Sequence, residues 1–192
     1  PYVDVTNENV QVTHDVQTWG VGGTNNTHVT GMMVWTNELN GAWGSFGPFE
    51  AQERAWAQHG IPVSVGENVI RVYGWNTNEP AEVSADSFVV RKGDIGTGAP
   101  YVDVTNENYW VSYDVTRVAI GGTNNAHVVG VMEWSTDRGH SGTIAAGAAW
   151  TIENIPVEVG VNVITVTGTN EWNVASSDSV TVTRGNEGTG VP

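Results

Sequence analysis

Strict alternation of apolar and polar residues marks several short segments of the chain. Over residues 127–134, Val128, Met132 and Trp134 share one face while Val129, Val131 and Glu133 share the other, and the charge of Glu133 marks that second face as outward. Trp134 is thereby predicted to point inward. The same reasoning over residues 163–168 sends Ile164 and Val166 in and Thr165 and Thr167 out, and over residues 179–183 it sends Val180 and Val182 in and Thr181 out. These three strands are predicted to share one sheet. Similar runs recur at roughly ten-residue spacing, punctuated by Gly, Asn and Asp, and no helical period competes, so the pattern predicts all-β sandwiches. Gly66 and Gly160 precede two of the strands. Gly22, Gly23, Gly121 and Gly122 are expected to end the second strands in turns that need unusual backbone angles.

The pattern occurs twice. YVDVTNEN at residues 2–9 returns at 101–108, and GGTNN, a later His (His28, His127), two tryptophans, IPV, NVI and DS follow in the same order in both copies. The core tryptophans are expected to be Trp35 and Trp56 in copy 1 and Trp134 and Trp150 in copy 2. The offset between matched residues shrinks from 99 to 92, so copy 1 holds extra residues between positions 42 and 56 and two more near 80, where loops are expected. The repeat divides the 192 residues into two domains, 1–99 with the longer middle loop and 100–192. GTGAP closes copy 1 and GTGVP closes copy 2, so the chain starts and stops in phase with its own period, as a piece of a longer array would.

The segments WSTDRGHSGTIAAGAAW, VGVNVITVTGTN and SSDSVTVTR, spanning residues 134–184, resemble the bacterial immunoglobulin-like (Big-type) domains that occur as tandem repeats in surface and secreted proteins. Copy 1 keeps Trp35, Asn40, Gly41, Trp56, Gly66, Asn68, Ile70 and Asp86 of that pattern but has a longer middle. The resemblance implies two tandem immunoglobulin-like β-sandwiches. It also implies an extracellular or cell-surface setting and a non-catalytic role as spacer, stalk, filament or surface-layer unit, as adhesin or carbohydrate-binding module, or as accessory domain of a secreted enzyme.

Composition narrows the chemistry. The formal charge of −14 is shared evenly: eleven acids against four bases in residues 1–99 and ten against three in residues 100–192 leave −7 in each. Nucleic acid is a poor partner for such a surface. Cysteine is absent, which removes disulfides and thiolate metal sites. The longest apolar stretch, residues 144–152, is too short to cross a membrane. No nucleophile–base motif is present, and His28 and His127, which recur at the start of the tryptophan-bearing strand, are expected to cap turns. Lys92 is the one lysine, which rules out a Lys–Asn isopeptide staple in copy 2, and the glycosylation sequon Asn25-Asn26-Thr27 loses its Thr in copy 2, where Ala126 stands.

Two candidate sites remain. On the outer face of the tryptophan sheet, copy 1 carries Met32, Val34, Arg71, Tyr73, Trp75 and Val89 where copy 2 carries Val131, Glu133 and threonines. Such an apolar and aromatic strip fits lateral self-association into fibres with further copies of the repeat, or stacking on a glycan, unless residues 43–54 fold over it. Asp94, Asp103 and Glu107 around the link between copies offer the hard oxygens that calcium takes. The alternative is an Asn-rich turn held by its own side-chain to backbone bonds.

Overall fold

The computed structural model describes residues 1–49, 54–78 and 81–188. The chain divides into two compact units, Pro1–Asp94 and Ile95–Pro192. Each is an immunoglobulin-like β-sandwich. The period of the repeat cuts at 99/100, whereas the packing cuts at 94/95, because the 3-10 turn Ile95–Thr97 sits with the second unit.

Unit 1 runs β1 (Val3–Val5), β2 (Val10–Val12), β3 (Thr18–Asn25), β4 (Gly31–Asn37), β5 (Trp43–Phe49), β6 (Arg54–Pro62), β7 (Gly66–Trp75) and β8 (Val83–Lys92). Unit 2 repeats the series as β9 (Val102–Val104), β10 (Tyr109–Val111), β11 (Arg117–Asn124), β12 (Val131–Thr136), β13 (Ser141–Ala145), β14 (Ala149–Pro156), β15 (Gly160–Thr169) and β16 (Ala175–Arg184). One sheet of each unit has three strands, β1-β3-β6 and β9-β11-β14. The other has five, β2-β8-β7-β4-β5 and β10-β16-β15-β12-β13. The three strands whose alternation is clearest in the sequence, β12, β15 and β16, are neighbours in one sheet.

The YVDVTNEN motif is where the chain crosses between sheets. β1 pairs antiparallel with β3 in the small sheet, and after the four residues 6–9 β2 pairs parallel with β8 in the large one. Backbone N–H groups bared by this crossing are taken by side chains: Asn7 Oδ1 accepts from Gly22 N at 2.6 Å and Asn9 Oδ1 from Val89 N at 2.8 Å, with Asn106 and Asn108 doing the same for Gly121 and Thr181. From the opposite side, Asp86 Oδ2 accepts from Val5 N and Asp178 Oδ2 from Val104 N, both at 2.8 Å. The recurrent Asn and Asp residues thus pin the first strand to the last.

Each unit encloses its own core. In unit 1 Val21, Met33, Ile61, Ile70, Val72 and Val90 are buried, and in unit 2 Ile120, Met132, Ile155, Ile164, Val166 and Val182. Trp35, Trp56 and Trp150 are buried as well, whereas Trp134 is half-buried at the rim of its core. The tryptophans explain four glycines. A Cβ at Gly23 or Gly122 would collide with the Trp56 or Trp150 ring and with the carbonyl of Asp4 or Asp103, and one at Gly44 or Gly142 would come within 3 Å of the Trp35 or Trp134 indole. Gly22, Gly23, Gly121 and Gly122 lie inside β3 and β11, not in turns, and none has a positive φ. The expectation of turn-forming glycines is corrected: at Gly23 and Gly122 the missing side chain makes room for a ring. Gly66 and Gly160, by contrast, do have positive φ, 110° and 92°.

Asn68 and Asn162, fully buried at the start of β7 and β15, organise the preceding turn. Asn162 Nδ2 donates to the carbonyls of Glu158, Gly160 and Val182 while its Oδ1 accepts from Glu158 N, and Asn68 repeats this with Ser64, Gly66 and Val90.

Candidate interaction surfaces

The outer face of the large sheet in unit 1 is set by alternation in β4 and β7. Met33, Trp35, Val72 and Gly74 face the core, so Met32, Val34, Arg71, Tyr73 and Trp75 face away, and Val89 joins them from β8. Cross-strand register sets Val34 opposite Tyr73 and Tyr73 opposite Ala85. The Tyr73 and Trp75 rings stack 6.1 Å apart at 21°. Met32 is 44% exposed, while Val34, Tyr73, Trp75 and Val89 are half-buried. Arg71 donates to Glu38 at 2.9 Å, and this hydrogen bond raises the guanidinium pKa further above its already high value.

The sequence predicts a loop over residues 43–54, long enough to cover the strip. Trp43–Phe49 is instead a strand, β5, paired with β4. Trp43 lies opposite Thr36, which puts its 70% exposed ring on the same face as the strip, so this segment widens the face. Phe46, opposite Met33, turns inward onto Trp56. The rest of the insertion, residues 50–53, lies outside the described residues, as do residues 79–80 of the second insertion and the GTGVP end from residue 189. In unit 2 the same face carries Val131, Glu133, Thr165, Thr167 and Thr181, with Thr167 and Ser177 hydroxyls 2.9 Å apart.

A second surface feature of unit 1 was not legible beforehand. On the three-stranded sheet a shallow groove of about 610 Å³ is lined by Asn7, Trp19, Gly20, His59 and Gly60 among others. A Cβ at Gly20 would lie 2.9 Å from His59 Nδ1. Unit 2 has Ala119 and Glu153 at the matching positions.

No group of three or more His, Asp or Glu side chains placed to hold a metal forms among the described residues, Asp94, Asp103 and Glu107 included. Asp103 sits within β9 opposite Thr123, and the asparagines of the TNEN segments spend their side-chain oxygens on backbone N–H groups. Asn25 of the sequon is buried, and so is Lys92, whose Nζ donates to the Val63 carbonyl at 3.4 Å.

The two histidines also differ from expectation. The turn is capped by the asparagine two residues earlier: Asn26 Oδ1 accepts from Tyr2 N and His28 N, and Asn125 Oδ1 from Tyr101 N and His127 N. The His127 ring is left to bond the Ile95 carbonyl through Nδ1. Asn125 Nδ2 donates to Ala99 O at 2.9 Å, Asn170 Nδ2 to Gly98 O at 2.8 Å and Thr97 O at 3.2 Å, and Glu171 N to Gly96 O at 2.9 Å. Five consecutive linker carbonyls, from Ile95 to Ala99, are thereby held by unit 2. Gly96 and Gly98 have no room for a side chain, since a Cβ would run into Glu171 and His127.

No protein-family model matches the chain, and no curated protein does. Among solved structures it is similar to the fibronectin(III)-like modules of Clostridium thermocellum CbhA, at 13% identity over 95% of this chain and 94% of that one, with a TM-score of 0.40. It is similar also to DIP-gamma IG1+IG2, at 10% identity over 97% and 99% with a TM-score of 0.37, and to Drosophila N-cadherin EC1-4, at 10% identity and a TM-score of 0.42. The chain covers half of the cadherin structure. Likeness at this level does not reach ligands or partners, and the sandwich assignment rests on the strand order itself. Among the described residues no helix is long and apolar enough to cross a membrane.

Proposed function

We propose that the chain is a non-catalytic structural repeat, a stacking spacer of an extracellular fibre, stalk or surface-layer array of the bacterial immunoglobulin-like type. The observation that carries this reading is the linker. Residues 95–99 are clamped carbonyl by carbonyl onto the sandwich that follows, where a flexible Gly-rich tether would make no such bonds. The side chains shared by the two copies are spent on the sheet crossing, the tryptophan seats and this clamp. Partners are further copies of the same repeat. Scattering from chains of two, four and six repeats tests the reading: a rigid spacer gives a maximum dimension growing in proportion to repeat number, and growth as its square root would refute it.

A second reading is favoured by one specific observation, the stacked Tyr73–Trp75 pair on a face widened by Trp43. Here unit 1 acts as an adhesin or carbohydrate-binding module, or its strip drives lateral association of arrays. Binding to a glycan array or to a second array that disappears on Trp75→Ala would support it, and a third role beside a secreted enzyme requires a catalytic domain in the same reading frame.

A further inference from the structure

The clamp that holds residues 95–99 has a counterpart on unit 1. Asn26 and His28 occupy the positions of Asn125 and His127 and repeat their loop bond for bond: Asn26 N donates to Tyr2 O at 3.1 Å as Asn125 N does to Tyr101 O at 3.1 Å, and the side-chain oxygen caps the same two N–H groups. Asn76 stands where Asn170 stands, its Oδ1 accepting from Glu82 N and Asn78 N as Asn170 Oδ1 accepts from Val174 N and Trp172 N. The side-chain caps are the same, although two more residues separate Asn76 from Glu82 than Asn170 from Val174. His28 is exposed where His127 is half-buried, and Asn76 Nδ2 gives its proton to Glu82 Oε2 at 2.9 Å where Asn170 Nδ2 binds linker carbonyls.

The chain also carries a second copy of what the clamp holds. GDIGTGAP at residues 93–100 returns as GNEGTGVP at residues 185–192, with glycine again at the two positions that the clamp leaves no space to fill. Clamp contacts run to backbone carbonyls, so Ile95 against Glu187 and Ala99 against Val191 do not change what is recognised.

We infer that Asn26, His28 and Asn76 form a docking site for the residue 185–192 segment of a second copy of this chain. Docking places Gly188 and Gly190 against the loop, gives the carbonyl of residue 187 to His28 and that of residue 191 to Asn26, and draws Asn76 away from Glu82. The contact is head-to-tail, joining different surfaces of the two copies, so it can be repeated from one copy to the next. This deepens the spacer reading and rests on it for its use, although docking is measurable by itself.

The test uses the full chain labelled with nitrogen-15 and a peptide of residues 184–192. Few bonds and a glycine-rich ligand make the complex weak, so the titration extends to roughly 10 mM, beyond the effective concentration a short tether supplies. The expected result is movement of the His28 ring and Asn26 side-chain amide resonances, with those of His127 and Asn125 silent because their own linker fills them. His28→Ala, at an exposed position, abolishes the response. A companion variant places GNEGTGV directly before Pro1; melting of unit 1 then rises by roughly 5 °C, and His28→Ala removes the rise. Absence of both responses, or responses that His28→Ala leaves intact, overturns the inference. Docking observed together with flexible multi-repeat chains would retire the spacer reading alone.

Discussion

Replacing Gly122 with alanine puts a methyl group where the Trp150 ring and the Asp103 carbonyl already are. Neither obstacle can move cheaply, since the ring is core and the carbonyl belongs to β9, paired with β11. The expected loss is about 3 kcal/mol, the upper part of the range for overpacking. Gly121→Ala next door, with its closest neighbour at 3.3 Å, is expected to lose under about 1 kcal/mol. Urea unfolding of the two variants separates a ring seat from a generic strand glycine. Asn162→Ala leaves three carbonyls and one N–H without the partner they now share, and is expected to cost about 3 kcal/mol. Tyr109 adds a pH dependence. Burial raises its phenol pKa above the ordinary 10, so the folded state favours the neutral form. Its contribution is fully present below the unfolded-state pKa of about 10 and is lost as pH rises through the higher folded value. Urea midpoints falling between pH 9 and 11 in the natural chain, and falling less in Tyr109→Phe, are the expected outcome.

At the scale of elements, alternation made β12, β15 and β16 readable, because each alternates a buried face with a threonine or glutamate face. Other elements hid for physical reasons. β5 reads as loop in the sequence because Gly44, Gly47 and Pro48 break any pattern, and it is a strand because its Phe46 and Trp43 serve opposite faces. Gly22-Gly23 and Gly121-Gly122 resembled turns because the group needing space, a tryptophan more than 25 residues away, leaves no local mark. The strip residues could be listed from periodicity alone, whereas the linker clamp could not: its acceptors are backbone carbonyls, which any sequence supplies. The sheet crossing gives the prediction at this scale. Asp178 ties Val104 N of β9 to β16, so Asp178→Ala is expected to cost about 2 kcal/mol and to speed hydrogen exchange at Val104 before that of the β15–β16 ladder. Uniform acceleration across unit 2 would show that the bond does not anchor the strand.

For the molecule as a whole, the question is where one folding unit ends. Each sandwich has a complete core of its own, so fragments containing either should fold alone. The repeat period suggests cutting unit 2 at residue 100, yet residues 95–99 give their carbonyls to His127, Asn125, Asn170 and the Glu171 N–H, and Asn170 is buried beneath them. A fragment beginning at residue 100 leaves the Asn170 amide without either carbonyl and uncovers the His127 ring. Five lost hydrogen bonds at about 0.5 to 1.5 kcal/mol each, reduced by the entropy that five glycine-rich residues regain, leave a net loss of roughly 2 kcal/mol. That corresponds to melting roughly 10 °C below a fragment beginning at residue 95. Asn170→Ala should shrink the gap between the two fragments, because the linker then has less to hold. Equal melting temperatures would mean that the linker lies on the sandwich without stabilising it, and the rigidity proposed for the array would lose its physical basis.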